Sequence, residues 1–409
     1  MVAAELLEVA FAIGARLARD AVWADDRCTW LSLDVVGPRP TDEAVRLCAH
    51  DLYAGASGIG YFLADLHRLT QESLFRVVAS GALRHALRVG TRRADGALLS
   101  VYAGRLGTIA AALHVAERCG DDGLAAQAME AVASLAGEPE HLDVVSGAAG
   151  AIPVLLAIHA TYGVEDARVL ALRCGEALLA AGVATDRGLS WPTIDGADRN
   201  LTGFAHGAAG VAWALTDLHA ATGDPRFREA ALSAFAYENS WFVASERNWP
   251  DFRAIARGPH AHPVCSLAWC HGAPGIAIAR LRAVEILGDD GARGDAVLAL
   301  ERTAADVAAT RWDRVNVSLC HGLPGNAEIV LTGARQLQRD DLRAVAVAAA
   351  EGIVATHPRA ASSWRSGLPS GRGTLGLMLG VAGTGHFLLR CADEEATGRP
   401  LALTRTCLA

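Results

Sequence analysis

Hydrophobic and polar positions follow two patterns along this chain. Runs such as Ile59-Gly60-Tyr61-Phe62-Leu63-Ala64 and Val211-Ala212-Trp213-Ala214-Leu215 offer almost no polar face, which predicts helices buried all round. Between them lie stretches such as Glu72 to Val78 and Pro225 to Ala231. In these, Glu72 with Arg76 and Arg226 with Glu229 fall at helical spacing and leave one face wet. Wet-faced helices alternating with fully buried ones predict an outer ring around an inner ring.

Every buried run is entered through a Gly-x-x-Gly step. The copies begin at Gly55, Gly104, Gly147, Gly207, Gly272, Gly322 and Gly380, at steps of 49, 43, 60, 65, 50 and 58 residues. About 50 residues accommodates two helices of roughly 12 to 18 residues with their loops. The expected fold is all-α: an α/α toroid, or double barrel, of seven helix-hairpin repeats. A single domain over 1–409 is expected, with its repeat core at about 45–393 and all seven turns gathered at one end. The inserts after Ala184, Ser240 and Ser362 carry Trp191, Trp249 and Trp364 and are expected to roof that end.

Composition narrows the function classes. Hydrophobic residues make up 52% and aromatics only 6%, with alanine and leucine dominant, which favours helices over strands. The longest charge-free runs, Val144 to Val164 and Gly258 to Ala279, are broken by glycine and proline, so no membrane span is expected. The N-terminus carries Glu5 and Glu8 where an export signal needs bases. Nine scattered cysteines argue for a reducing cytoplasm rather than a disulfide framework. A net charge of -8 gives no basic footprint for nucleic acid. All 37 basic residues are arginine. Without lysine there is no P-loop, no kinase-type catalytic lysine and no Schiff-base cofactor.

The chemistry concentrates at the turns. The residue before each first glycine is Ala54, Ala103, Ser146, His206, His271, His321 or Leu379, so three consecutive repeats place histidine at one spot. Two of them add a cysteine, in Cys270-His271-Gly272-Ala273-Pro274-Gly275 and Cys320-His321-Gly322-Leu323-Pro324-Gly325. Thiolate and imidazole are the ligands zinc takes, and two such turns one repeat apart point to a shared metal. Buried structural thiols are the competing reading. Gly371 to Gly376 satisfies G-x-G-x-x-G, but no strand feeds it, so a dinucleotide site is not expected. Tyr53, Tyr102 and Trp213 read as core residues, and Cys265 as a free thiol.

The chain resembles the lanthionine cyclase family, meaning the LanC-like proteins and the C-terminal domains of two-part lanthipeptide synthetases. The resemblance rests on Trp269-Cys270-His271-Gly272, Cys320-His321-Gly322 with Gly325-Asn326-Ala327-Glu328, and Ala205-His206-Gly207. Asp143-Val144-Val145-Ser146-Gly147 and Leu377 to Gly383 add to it, and it covers about residues 28 to 393. It implies a seven-fold double α/α barrel, Zn2+ held by Cys270, Cys320 and His321, and catalytic roles for His206 and Asp143. It also implies a dehydrated precursor peptide as substrate. In that reaction a peptide cysteine thiolate adds to dehydroalanine or dehydrobutyrine, giving a (methyl)lanthionine thioether.

In this reading His206 protonates the resulting enolate, and Asp143 either orients it or takes the thiol proton. Asp143 as a helix cap and His206 as a core histidine are the structural alternatives. His271 is expected to line the pocket rather than ligate. Ser266 departs from relatives that carry an arginine shortly before the first cysteine. A separate dehydratase or kinase/lyase is expected to act first. The competing function classes are glutathione addition to dehydroamino acids, a prenyltransferase-like thiol alkylation, a toroid glycosidase and a non-catalytic peptide-binding scaffold. A prenyltransferase barrel usually has six pairs, and a glycosidase needs paired carboxylates.

Overall fold

The structure, a computed structural model, describes residues 2–403 apart from residues 38, 40, 91–98, 196, 198, 254–263, 313, 314 and 357–363. The start of the second charge-free run and Ser362 therefore lie outside the described residues. Seven inner helices are α2 (Ala56–Thr70), α4 (Arg105–Cys119), α6 (Ala148–Tyr162), α8 (Ala208–Thr222), α10 (Ala273–Leu287), α12 (Leu323–Leu337) and α14 (Val381–Ala392). The N-cap of each is the first glycine of a Gly-x-x-Gly step. Consecutive inner helices pack on one another, and α14 returns to α2 to close the ring.

Six outer helices follow their inner partners: α3 (Ser73–Gly90), α5 (Asp122–Ala133), α7 (Glu165–Ala181), α9 (Pro225–Asn239), α11 (Asp290–Ala308) and α13 (Asp340–Thr356). The seventh outer helix is α1 (Val2–Arg19), which packs on α14. The first helix of the chain thus completes the last pair instead of standing apart. No described helix is long and apolar enough to cross a membrane.

The second glycine of each step explains why the repeat tolerates nothing larger. A Cβ on Gly107 would stand 1.5 Å from the Val101 carbonyl oxygen, and one on Gly325 1.7 Å from that of Leu319. In all seven copies the obstructing carbonyl belongs to the residue six positions earlier, so each helix begins pressed against its own entering loop.

Strands are confined to three hairpins: β1 (Val22–Ala24) with β2 (Arg27–Thr29), β3 (Leu31–Val35) with β4 (Glu43–Leu47), and β5 (Val183–Thr185) with β6 (Gly188–Ser190). The insert tryptophans Trp191, Trp249 and Trp364 anchor their inserts rather than lying over the surface. They are buried, and the Trp191 indole N–H donates to the Leu178 carbonyl at 2.7 Å, rooting its insert in the core.

The loops at the turn end are tied into a circle by main-chain hydrogen bonds. Tyr53 N–H donates to Tyr102, Tyr102 to Val145, Val144 to Ala205, Ala205 to Cys270, Cys320 to Met378 and Met378 to Tyr53. Among the described residues the circle is open at one place, between Cys270 and Cys320.

Farther down, the bore is filled by the segment after α14. The Gly398 N–H donates to Asp65 at 2.8 Å, Tyr102 Oη to the Pro400 carbonyl at 2.7 Å and Trp269 Nε1 to the Leu401 carbonyl at 2.9 Å. Asp65, fully buried on α2, also accepts from His114 Nε2 at 2.8 Å and His386 Nε2 at 2.9 Å. One carboxylate therefore joins three inner helices and the segment in the bore. Burial pushes its carboxyl up, but the two imidazoles more than offset this and hold it well below the usual range.

Asp65→Asn is expected to cost about 3 to 5 kcal/mol in chemical unfolding, the scale for breaking a buried charged network. A lowered folded pKa stabilises the fold above the unfolded value of about 4 and loses that contribution as pH falls further. The wild type should therefore lose stability more steeply than Asp65→Asn below about pH 4. Parallel pH profiles would contradict this assignment.

Candidate active site

The opening in the main-chain circle is where the two Cys-His-Gly turns meet. Cys270 and Cys320 are both buried, and the Cys320 thiol is placed to donate to the Cys270 sulfur. That donation holds Cys270 below the ordinary thiol range despite burial, and it raises Cys320. The other cysteines behave differently. Burial pushes Cys28 up to about 12, burial followed by the Glu138 charge takes Cys174 to about 12, and Cys265 rises to about 11. Cys265 is a half-buried free thiol, as its sequence position suggests.

The turn carrying Cys270 is shaped for its place. Among the seven capping glycines, Gly272 alone has a positive φ, +80°, and a Cβ there would stand 1.8 Å from the Ser266 carbonyl oxygen.

His321 follows Cys320 and remains in contact with solvent. Its Nε2 lies 2.8 Å from the Gly367 carbonyl. A carbonyl can only accept, so Nε2 carries the proton and Nδ1 keeps its lone pair. This is the tautomer a metal-ligating histidine needs. The protein packed around the ring lowers its pKa, which favours the neutral form. Two thiols and such an imidazole have the donor chemistry of a zinc site with one open position. Among the described residues, no three His, Cys, Asp or Glu side chains are already gathered as they would be around a metal ion.

One turn away, His206 Nδ1 lies 2.6 Å from Asp143 Oδ2, and the Ala205 N–H donates to the Cys270 carbonyl. The carboxylate takes the Nδ1 proton and leaves Nε2 for chemistry. Asp143 Oδ1 also accepts from the Ser146 N–H at 2.6 Å, so the capping role is present as well. The repeat supplies an internal comparison. Asp51, at the equivalent position of the first repeat, accepts from the Ala54 and Gly55 N–H groups. The turn needs only that cap; the bond to histidine is what Asp143 adds.

Three residues enter the site that the sequence reading placed elsewhere or passed over. Tyr53, read as core, sends its hydroxyl to Cys320; burial first, then that contact, raises its pKa well above the usual value. Arg253 lies within electrostatic reach of both thiols, Tyr53 and His321. Asp251 holds it, with Nη2 to Oδ2 at 2.6 Å and Nε to Oδ1 at 3.0 Å. Tyr102 and Trp213 are buried core residues, as expected.

His271 is buried beside the site, with its ring centre 6.0 Å from that of His206. Its Nδ1 stands 3.8 Å from Asp251 Oδ1, and among the described residues neither ring nitrogen has a hydrogen-bond partner. The Thr202 backbone approaches the ring without closing a bond of good geometry. Burial outweighs the Asp251 charge and lowers its pKa to about 3, so the ring is neutral.

The family model for "Lanthionine synthetase C-like protein" matches residues 49–403. No curated protein matches the chain by sequence. Among solved structures, nisin cyclase is similar with a TM-score of 0.65 at 17% identity, covering 88% of this chain and 92% of that one. The Lin0763 protein from Listeria innocua has a TM-score of 0.52 at 11% identity, covering 95% and 97%. A sugar epimerase from a ruminal bacterium has a TM-score of 0.51 at 13% identity, covering 96% and 99%. At these identities the structural similarity is one of fold, and a toroid hosts unrelated chemistries.

Proposed function

The chain belongs to the lanthionine synthetase C-like family, and from that premise we propose that it is a zinc-dependent lanthionine cyclase. Its substrate in this reading is a precursor peptide already carrying dehydroalanine or dehydrobutyrine, made by a separate dehydratase or kinase/lyase in the same cytoplasm. The observation that carries the reading is the pair of facing thiols, Cys270 and Cys320, one turn from the Asp143-oriented His206.

Cys270, Cys320 and His321 Nδ1 would hold the zinc. When bound, zinc supplies stabilisation of a deprotonated thiol at neutral pH. The peptide sulfur then uses its electron pair to bond the β-carbon of the dehydro residue, and the alkene pair moves toward the adjacent carbonyl. His206 Nε2 lies on the neighbouring turn and delivers a proton to the α-carbon. Asp143 fixes the ring through Nδ1 and stabilises the imidazolium before that transfer. The product has the mass of the substrate, with one thiol and one alkene fewer.

Mass-neutral thiol loss is therefore the test. A dehydrated peptide incubated with zinc-loaded protein is alkylated at intervals, and its free thiols are counted. They should disappear far faster than without protein, with about one zinc per chain in the metal analysis. Persistence of thiols at the uncatalysed rate would overturn the reading.

A further inference from the structure

We propose that Arg253 is a catalytic residue that receives the carbonyl oxygen of the dehydro residue as negative charge develops there, an inference that rests on the cyclase reading. When sulfur bonds the β-carbon, the displaced alkene pair comes to rest on that oxygen as an enolate. The charge needs a fixed donor until the α-carbon is protonated.

The groups around the thiols leave few candidates. The Tyr53 hydroxyl is engaged with Cys320, and His271 is 1% exposed and walled in. His206 must reach the α-carbon. Arg253 remains, a permanent cation with 27% of its side chain exposed.

Its orientation is built in. The Asp251 carboxylate, 1% exposed, takes Nε and Nη2, and the Arg253 backbone N–H donates to the same carboxylate at 3.1 Å. Among the described residues Nη1 has no bond of its own. Charge neutralisation by Asp251 leaves a directed N–H donor rather than a diffuse field.

Asp251 is itself fixed to the Cys270 loop. Its N–H donates to the Val264 carbonyl at 2.8 Å. Asn248, three residues earlier, donates to the Cys265 and Ser266 carbonyls and accepts the Ala273 N–H at 2.7 Å, where α10 begins. The guanidinium and the Cys270 thiol are therefore carried on one stitched unit.

The experiment compares wild type with Arg253→Gln and Arg253→Lys for zinc content, affinity for the dehydrated peptide, and kcat. Zinc content should be unchanged, while the thermal transition falls in Arg253→Gln because the buried Asp251 carboxylate loses its charged partner. The kcat should fall about 100-fold in Arg253→Gln, the scale for losing one oxyanion donor, and less in Arg253→Lys. Guanidinium ion added to Arg253→Ala should restore part of the lost rate, which a purely structural role would not allow. A kcat for Arg253→Gln within about twofold of wild type overturns the inference. So does loss of zinc together with activity, or failure of guanidinium to rescue. A wild type that closes no ring overturns the cyclase reading and this inference with it. An active wild type with an indifferent Arg253→Gln overturns this inference alone.

Discussion

The Cys320→Ala protein should bind no stoichiometric zinc and should leave the thiols of a dehydrated peptide standing at nearly the uncatalysed rate. In the proposed reading Cys320 serves the site twice: it would be one of the two soft donors, and in the metal-free protein its S–H holds the Cys270 sulfur below the ordinary thiol range. Removing it leaves Cys270 beside a neutral methyl group, with one thiol and His321 as the remaining ligand set. That is too few for a tight tetrahedral site. The loss in kcat should be on the order of 1,000-fold or more, as expected when residues act as a unit. The fold should survive, because deleting one buried sulfur costs only about 1 to 2 kcal/mol. Cys265→Ala is the internal control, since the half-buried Cys265 thiol stands apart from the pair. Metal analysis and thiol counting on both variants decide the matter. Full zinc in Cys320→Ala would show that the two turns do not share an ion.

His206→Asn should behave in the opposite way toward the metal. Zinc stays, because His206 lies on a different turn and is bonded to Asp143 rather than to either cysteine. The kcat should fall by about 100- to 10,000-fold, the range for losing a positioned acid. A second readout separates an acid from a packing residue. A fixed imidazole protonates the enolate from one face and gives one configuration at the new α-carbon. Solvent protonation in the variant should give a mixture of both, seen by chiral separation of the hydrolysed thioether amino acids. Asp143→Asn should show a smaller version of the same effect. Its amide can still cap the Ser146 N–H through oxygen, but it no longer provides a carboxylate at His206 Nδ1. A stereochemically pure product from His206→Asn at an undiminished rate would remove His206 from the mechanism.

How far these residues could be read in advance depended on how local their physics is. The inner helices were legible because a first glycine at each cap and a second glycine against a carbonyl six residues back are demands made within one turn. Reading the residue just before each first glycine found His206, His271 and His321. Reading one position earlier gives Tyr53, Tyr102, Val145, Ala205, Cys270, Cys320 and Met378, the positions through which the main-chain circle runs. That column would have placed Tyr53 beside the two cysteines, where the structure has it. Asp251, Arg253 and Gly367 lie in inserts without the repeat, and no periodicity announces which hub residue an insert will reach. The pairing of α1 with α14 was hidden for a related reason. An amphipathic helix shows that it has a partner, not that the partner is more than 300 residues away.

Six joints of the turn-end circle are clasped by main chain, and among the described residues the seventh is spanned by side chains: the two sulfurs, and Asn326 Nδ2, which donates to the Leu267 carbonyl at 3.0 Å. Peptide hydrogen bonds fix a spacing within a few tenths of an ångström, whereas two side chains can swing. Among the described residues, that joint is therefore the one place where the circumference can widen or narrow without breaking a main-chain bond between neighbouring turns. The spacing across it is then set by side chains and by whatever they hold, and the other spokes need not move to follow.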